Sequence, residues 1–582
     1  MTELSGGAVN ALPFRPHETA DTNVHRLSVG DSPSAQEASL PTSLIVAART
    51  LAHRAREAGE VAAAMARLTR DLPPYVRTPL TADAARAHVQ RSLHQREQRL
   101  LTLVDKAIYR HPSSPFLTLL RHAGCELGDV RALIAAEGIE GGLRSLADRG
   151  VYVTYDEMKG QRETIRGSLR VRFQTGDFDN PLVRPHLFMY TGGSGRAPSR
   201  VPYSLPFIEE WASSGVMAQE AHVISRPRQV CWWPVPWAQI LASARLGNPT
   251  LRWFYPVHPL PPMVRMAARY VALVGRVGGV RLPMPERCDL ENPEPLVRWL
   301  AEELRNGEPM VLWTLTGLGA RAGLAATEAG LDLTGATFLV AGEPVTEDRR
   351  RQIEASGARL VVVYGSMDIS ASGYSCATPD AIDDIHMMTH RCVVYPRPRA
   401  AVPGGPVVNA LLVSTISPSV PKIAFNTEMG DYANYAVRDC GCLLGDLGLR
   451  THISEIRSFE KLTGEGVTFA RSGLEQILEQ VLPARFGGTG LDYQISEEAA
   501  PNGAANLVLR ISPHVTGVDD TAARALLLAS LGGNSVLDQY QAQMWRNAGA
   551  LEIRHEAPIA TRGGKVLPVR LLADAARAGR PS

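Results

Sequence analysis

Between Val151 and Ile456 short apolar runs alternate with amphipathic segments, and this alternation limits the chain to a small set of architectures. The runs Phe188–Tyr190, Met310–Leu315, Thr337–Val340, Leu360–Tyr364 and Val408–Ser414 are of strand length. Segments with helical spacing stand between them, among them Pro293–Leu304 and Glu347–Ala355. A chain that switches repeatedly between the two periods predicts an α/β fold, with ligands at the ends of the strands. The cluster Cys231-Trp232-Trp233-Pro234-Val235-Pro236-Trp237 interrupts the pattern. It reads as core packing or, alternatively, as the wall of a substrate pocket.

The flanks differ in character. Residues 1–40 are rich in Ser, Ala, Pro and Gly without periodicity and read as a mobile tail. From 41 to 150 the spacing is mainly helical, beginning with a helix over about Ser43–Asp71. The segment 457–582 reads as a smaller α+β module, with helices at Ser472–Leu482 and Asp520–Leu531 and strands at Leu507–Ile511 and Leu551–Arg554. At 582 residues the chain is too long for one core. A net charge of +2 gives the whole molecule no strong pull toward nucleic acid or an anionic membrane. No apolar run is long enough to span a bilayer, and seven scattered cysteines point to reduced thiols in a cytoplasm.

Six motifs follow one another. Thr191-Gly192-Gly193-Ser194-Gly195-Arg196 lies after an apolar run and can turn several N–H groups and hydroxyls toward one anion. Such a Gly/Ser-rich loop is also an ordinary turn, and it lacks the Gly-Lys-Ser/Thr ending of a Walker loop. The second motif is Gly342-Glu343-Pro344, and the third is Tyr364-Gly365-Ser366-Met367-Asp368. In the third, a tyrosine can stack on a purine and a carboxylate can hold a divalent cation. The others are Glu428-Met429-Gly430-Asp431, then Arg457-Ser458-Phe459-Glu460, and Gly563-Gly564-Lys565 near the C-terminus.

In that order the motifs resemble the adenylate-forming superfamily, particularly its phenylacetate–CoA ligase and acyl-protein synthetase branch, over roughly residues 100–570. The resemblance implies a large adenylation domain at 151–456 and a mobile lid domain at 457–582. It implies AMP-forming activation of a carboxylic acid by ATP and Mg²⁺, followed by transfer to coenzyme A. An amine or carrier-thiol acceptor, or a non-catalytic nucleotide-binding relative, are the alternatives. Thr191, Gly192, Gly193, Ser194, Gly195 and Arg196 would grip the phosphates. Gly342, Glu343 and Pro344 would line the adenine site, Tyr364, with Gly365 and Ser366, would meet the base, and Asp431 the ribose. Asp368, in place of the usual glutamate, would hold Mg²⁺. Arg457 would contact ribose and phosphate, Glu460 would sit at the hinge, and Lys565 would bridge the substrate carboxylate and the α-phosphate.

The same branch implies structural Zn²⁺. Cys376, His386, Cys440 and Cys442 stand at matching places, and three thiolates with an imidazole make a closed tetrahedral set. His390 and Cys392 are rival ligands. The partner implied is a small carboxylic acid, an aryl acid being favoured by the Trp-rich cluster and Phe254. Nucleic acid and membrane are not expected, and a homodimer is compatible with the sequence. One rival reading is a dinucleotide fingerprint in Thr316-Gly317-Leu318-Gly319-Ala320-Arg321-Ala322-Gly323, whose third glycine comes one residue late. No Gly-x-Ser-x-Gly elbow supports serine hydrolysis, and no Glu accompanies His386 and His390 as a zinc protease requires.

Overall fold

The structure is a computed structural model that describes residues 42–190, 199–256, 259–290, 292–367, 372–400, 407–458, 473–499, 505–531, 551–560 and 565–570. Gly59–Ser582 forms one compact unit and Met1–Ala58 another. The first 41 residues lie outside the described part.

Twelve strands make one sheet. Its parallel half consists of β1 (Arg228–Trp232), β2 (Arg252–Tyr255), β3 (Pro285–Arg287), β4 (Met310–Leu315), β5 (Ala336–Ala341) and β6 (Arg359–Gly365), in the spatial order β3-β2-β1-β4-β5-β6. Direction reverses after β6. There β7 (Ser372–Ser375), β8 (Ile385–Met387), β9 (Cys392–Ala400), β10 (Val407–Thr415), β11 (Thr427–Val437) and β12 (Thr451–Ser458) extend the sheet as β7-β8-β12-β11-β10-β9. All six residues of β4 are buried. This is why Met-Val-Leu-Trp-Thr-Leu carries no alternation: a central parallel strand is covered by helices on both faces. The order 3-2-1-4-5-6 reverses between β1 and β4, the usual place for a crevice at the carboxyl ends of the strands.

The expected elements recur with small shifts, and one reading needs correction. The Trp-rich cluster does not interrupt the fold. Its Cys231 and Trp232 end β1, and a helix starts at Trp237 (Trp237–Arg245). Trp232 and Trp253 are fully buried, the Trp253 indole N–H donates to the Trp233 carbonyl at 2.7 Å, and Trp237 meets Trp253 edge-on at 5.0 Å. The cluster is therefore largely core. His386 lies in β8 and His390 in the turn that follows. The expected helix at 472–482 is present as one helical run, Gly473–Gln476, a π-helical stretch at Ile477–Val481 and Leu482–Phe486.

The helical region before residue 150 is tied into this sheet. Arg99, on the helix Arg96–Leu103, donates to the buried Glu210 carboxylate at 2.6 Å, and Glu210 also takes the hydroxyls of Ser417 and Ser419. His390 is buried beside this network, with Nε2 3.1 Å from the Ser214 hydroxyl. Burial, and then the cations Arg391 and Arg99, hold its imidazole well below the ordinary histidine range. An unfolded chain therefore takes up a proton near pH 6.5 that the folded chain refuses. Stability is expected to fall as pH drops below about 6.5, by about 1.4 kcal/mol per pH unit for this group. In urea titrations across pH, His390→Gln should show a shallower acid slope by up to one proton, and an unchanged slope would refute the assignment.

The segment 473–570 has a core of its own, built on Leu474, Ile477, Leu478, Leu482, Tyr493, Ile495, Leu509, Ile511, Ala523, Leu527 and Leu551. A four-stranded sheet crosses it: β13 (Tyr493–Ala499), β14 (Ala505–Ile511), β15 (Leu551–Arg554) and β16 (Val569–Arg570), ordered β15-β14-β13-β16. The short strand β16 pairs with β13 through Ile495 and Val569, and so anchors the segment that carries Lys565. No described helix is long and apolar enough to cross a membrane.

Candidate functional site

Strand register brings the motifs together. Leu315 of β4, Ala341 of β5 and Val363 of β6 are aligned across the sheet. The residues that follow them, Thr316-Gly317, Gly342-Glu343-Pro344 and Tyr364-Gly365, therefore lie at one end of three adjacent parallel strands. Gly342 has φ of +84°, a backbone conformation that favours glycine, and a Cβ there would lie 3.3 Å from Cε and Nζ of Lys565.

The Lys565 ammonium donates to the Gly342 carbonyl at 2.7 Å. These residues are 223 positions apart. On the other side, the Tyr364 hydroxyl donates to Asp431 Oδ2 at 2.9 Å and lies 3.5 Å from the Met429 sulfur. Burial, and then the Asp431 carboxylate, push the Tyr364 phenol far above its usual range, so it remains a donor. Asp431 faces Ser458 across β11 and β12, and Tyr432 faces Arg457. The Arg457 guanidinium is 3.8 Å from the buried Asp383, whose two oxygens also accept the Glu455 and Ile456 N–H groups at 2.8 and 3.0 Å. Gly342, Tyr364, Gly365, Asp431, Arg457 and Lys565 are thus gathered in one region. Ser366 follows β6, and Pro344 lies in a narrow cleft with Val566 and Pro568. The loop Thr191, Gly192, Gly193, Ser194, Gly195 and Arg196, the carboxylate Asp368 and the hinge residue Glu460 lie outside the described residues.

Glu343 takes a place that the sequence did not reveal. Its side chain is only 2% exposed, and one carboxylate oxygen accepts the Gly317 N–H at 2.6 Å. The carboxylate thus occupies the first turn of the helix Thr316–Glu328, where the helix dipole favours negative charge. Arg349 stands between Glu343, at 3.5 Å, and Glu479 of the C-terminal segment, at 3.6 Å, and donates to the Pro344 carbonyl. The dinucleotide reading fails on the same contacts. The Gly317 N–H is engaged by Glu343, while Gly319 and Gly323 admit close packing: a Cβ on Gly323 would meet the Gln352 carbonyl at 2.3 Å.

The thiol–imidazole set adjoins β12, the strand that carries Arg457, because His386 faces His452 there. The ligand atoms of Cys376, His386, Cys440 and Cys442 are all within 4.8 Å of one another. His386 Nε2 is 3.4 Å from the Cys440 sulfur and 3.2 Å from that of Cys442. Its Nδ1 lies 2.6 Å from the Leu449 carbonyl, which puts the proton on Nδ1 and leaves the Nε2 lone pair toward the sulfurs. An outer partner of this kind orients a zinc-binding imidazole, and soft thiolates with one imidazole suit Zn²⁺. Burial pushes the Cys376 thiol up to about 12 and holds His386 down to about 4. Burial also opposes ionisation of Cys440, but hydrogen bonds from Cys442 outweigh it and lower that thiol. The rival ligands are placed elsewhere, His390 at Ser214 and the Cys392 sulfur 3.7 Å from the Met388 carbonyl.

Arg349, Asp383 and Glu479 have no sequence signature of their own. Only the helix following Gly342-Glu343-Pro344 hinted at Arg349; Asp383 and Glu479 act through residues about 70 and 130 positions away, respectively.

No protein-family model matches the chain, and no curated protein matches it. Among solved structures it is similar to 2-hydroxyisobutyryl-CoA ligase in complex with 2-HIB-AMP and CoA, at 16% identity over 85% of this chain and 91% of that one, with a TM-score of 0.41. It is similar to the amide bond synthetase McbA from Marinactinospora thermotolerans, at 13% identity over 84% of this chain and 98% of that one, with a TM-score of 0.37. ATP-bound MatB from Rhodopseudomonas palustris matches at 11% identity over 66% of each chain, with a TM-score of 0.38.

Proposed function

We propose that the chain joins a carboxylic acid to AMP, releasing pyrophosphate, and then transfers the acyl group to the thiol of coenzyme A, releasing AMP. The observation that carries this reading is the Lys565 ammonium at the Gly342 turn, one strand away from the Tyr364–Asp431 pair. Attack of a carboxylate oxygen on the α-phosphorus gathers negative charge on the phosphoryl oxygens. A positioned cation stabilises that charge, and a site closed to water strengthens the effect. Tyr364 and Asp431 would hold the base and ribose, and Arg457 would meet the ribose and phosphate. Mg²⁺ would supply further charge neutralisation when bound by Asp368.

The acid is proposed to enter at the carboxyl ends of the paired strands β1 and β4, where the strand order reverses, beside the half-buried Trp233, with an aryl acid as the favoured class. ATP–pyrophosphate exchange with a panel of aryl, alkyl and polar acids tests the reading. Exchange is expected to depend on added acid. Acid-independent exchange, or none with any acid, would favour a nucleotide-binding protein without catalysis. Coenzyme A should then convert the adenylate to a thioester with release of AMP, and conversion by amines alone would reassign the acceptor.

A further inference from the structure

The helix Pro262–Val277, between β2 and β3, buries Ala268, Val271, Val274 and Gly275 against the fold. Its opposite side is also apolar. Met263 is 78% exposed, Met266 68%, Leu273 61% and Val277 61%. With Tyr270 these residues stand at i, i+3, i+7, i+10 and i+14, a single stripe about 21 Å long. The Tyr270 hydroxyl bonds to the Met65 carbonyl at 2.7 Å, so the half-exposed Val61 and Met65 of the neighbouring helix continue the apolar surface. An exposed patch of large side chains in register marks a contact surface.

Charge identifies the contact. Arg265, Arg269 and Arg276 form a parallel stripe at i, i+4 and i+11, and Arg281 follows; all four are exposed. None of them forms an ion pair with a described residue. From Pro259 to Pro285 the sequence holds these four arginines and no Asp, Glu or Lys. A second copy docked on this face by a twofold axis would set arginine against arginine. The side chains project outward as a ridge, so a helical protein partner would have to supply the groove. A fluid anionic lipid interface needs no groove, since it takes an apolar ridge into its acyl boundary and basic side chains at its headgroups.

We propose that this face is a peripheral membrane-docking surface, with Met263, Met266, Leu273 and Val277 entering the interface of an anionic bilayer and Arg265, Arg269 and Arg276 meeting its headgroups. The near-neutral whole-chain charge conceals this local asymmetry. Each arginine that reaches the surface is expected to strengthen binding about fivefold, lost as salt screens it.

Co-sedimentation of the full chain with phosphatidylcholine–phosphatidylglycerol vesicles, and with phosphatidylcholine alone, tests the proposal. Binding is expected to the anionic vesicles at low salt, weaker on both high salt and the neutral lipid. Met266→Glu with Leu273→Glu should reduce partitioning about tenfold or more. Arg265→Gln with Arg269→Gln should cut the preference for anionic lipid by about 25-fold, and unchanged thermal melting would show both variants folded. No binding to either vesicle overturns the proposal, as does binding that survives both double variants. Concentration-dependent dimers lost in the Met266→Glu/Leu273→Glu variant, without vesicle binding, would instead assign the face to self-association.

Discussion

Replacing Lys565 with alanine is expected to lower acid-dependent ATP–pyrophosphate exchange by about 10²–10³-fold, which corresponds to roughly 3–4 kcal/mol of transition-state stabilisation. The expectation follows from position. The ammonium already reaches the turn that follows β5, held there by the Gly342 carbonyl at 2.7 Å. A neutral carbonyl is a weak partner for a cation compared with a phosphoryl oxyanion, so the lysine gains most when charge develops beside it. Because Lys565 lies at the surface of the fold and its loss leaves no buried group unpaired, thermal stability should change little. Coenzyme A transfer from a supplied acyl-adenylate should also be spared, since that step no longer forms the α-phosphoryl bond. Exchange at the wild-type rate in a folded Lys565→Ala protein would remove the central role assigned to this side chain.

The second large effect concerns the thiol–imidazole set. The purified chain is expected to hold about one zinc ion per molecule by elemental analysis, and Cys440→Ser with Cys442→Ser to hold none. Structural zinc contributes its binding free energy directly to folding, on the order of 10 kcal/mol or more in small domains. Here the ligands sit in an extended sheet that retains other supports, so a smaller share is expected, a fall in melting temperature of roughly 10 °C. The same fall should follow prolonged chelation of the wild type. A chain that carries no zinc and melts identically to the double variant would show that these four side chains are merely packed thiols and an imidazole.

Much of the parallel half of the sheet was legible in the sequence. Met310–Leu315 matches β4 residue for residue, and Thr337–Val340 lies wholly within β5, because strands covered on both faces must be continuously apolar. The antiparallel half was largely hidden. Ser-Gly-Tyr-Ser of β7 is polar in composition and Ile-His-Met of β8 is only three residues long, and they are strands because neighbours pair with them rather than through any local preference. The placement of His386 in β8 follows from that pairing, and so does its approach to Cys440 and Cys442. Within the site, the order of the motifs was readable, since glycine, tyrosine and carboxylate at strand ends carry their chemistry in their identity. The inward turn of Glu343 was not readable. It depends on the Gly317 N–H and on Arg349, and Arg349 in turn depends on Glu479, whose proximity only the tertiary fold creates.

The adjacent carboxylates Asp383 and Asp384 have a bearing on how the protein would meet oxidative stress. Asp384 holds His452, whose ring lies 4.0 Å from that of His386, and also pairs with Arg438, while Asp383 secures the backbone ahead of Arg457. Peroxide that converted Cys440 to a sulfenic acid would therefore disturb a support running to the backbone just ahead of Arg457. Inactivation would then precede any damage to Lys565 or Tyr364, and thiol reductants would restore turnover as long as the sulfur had not advanced to the sulfinic state.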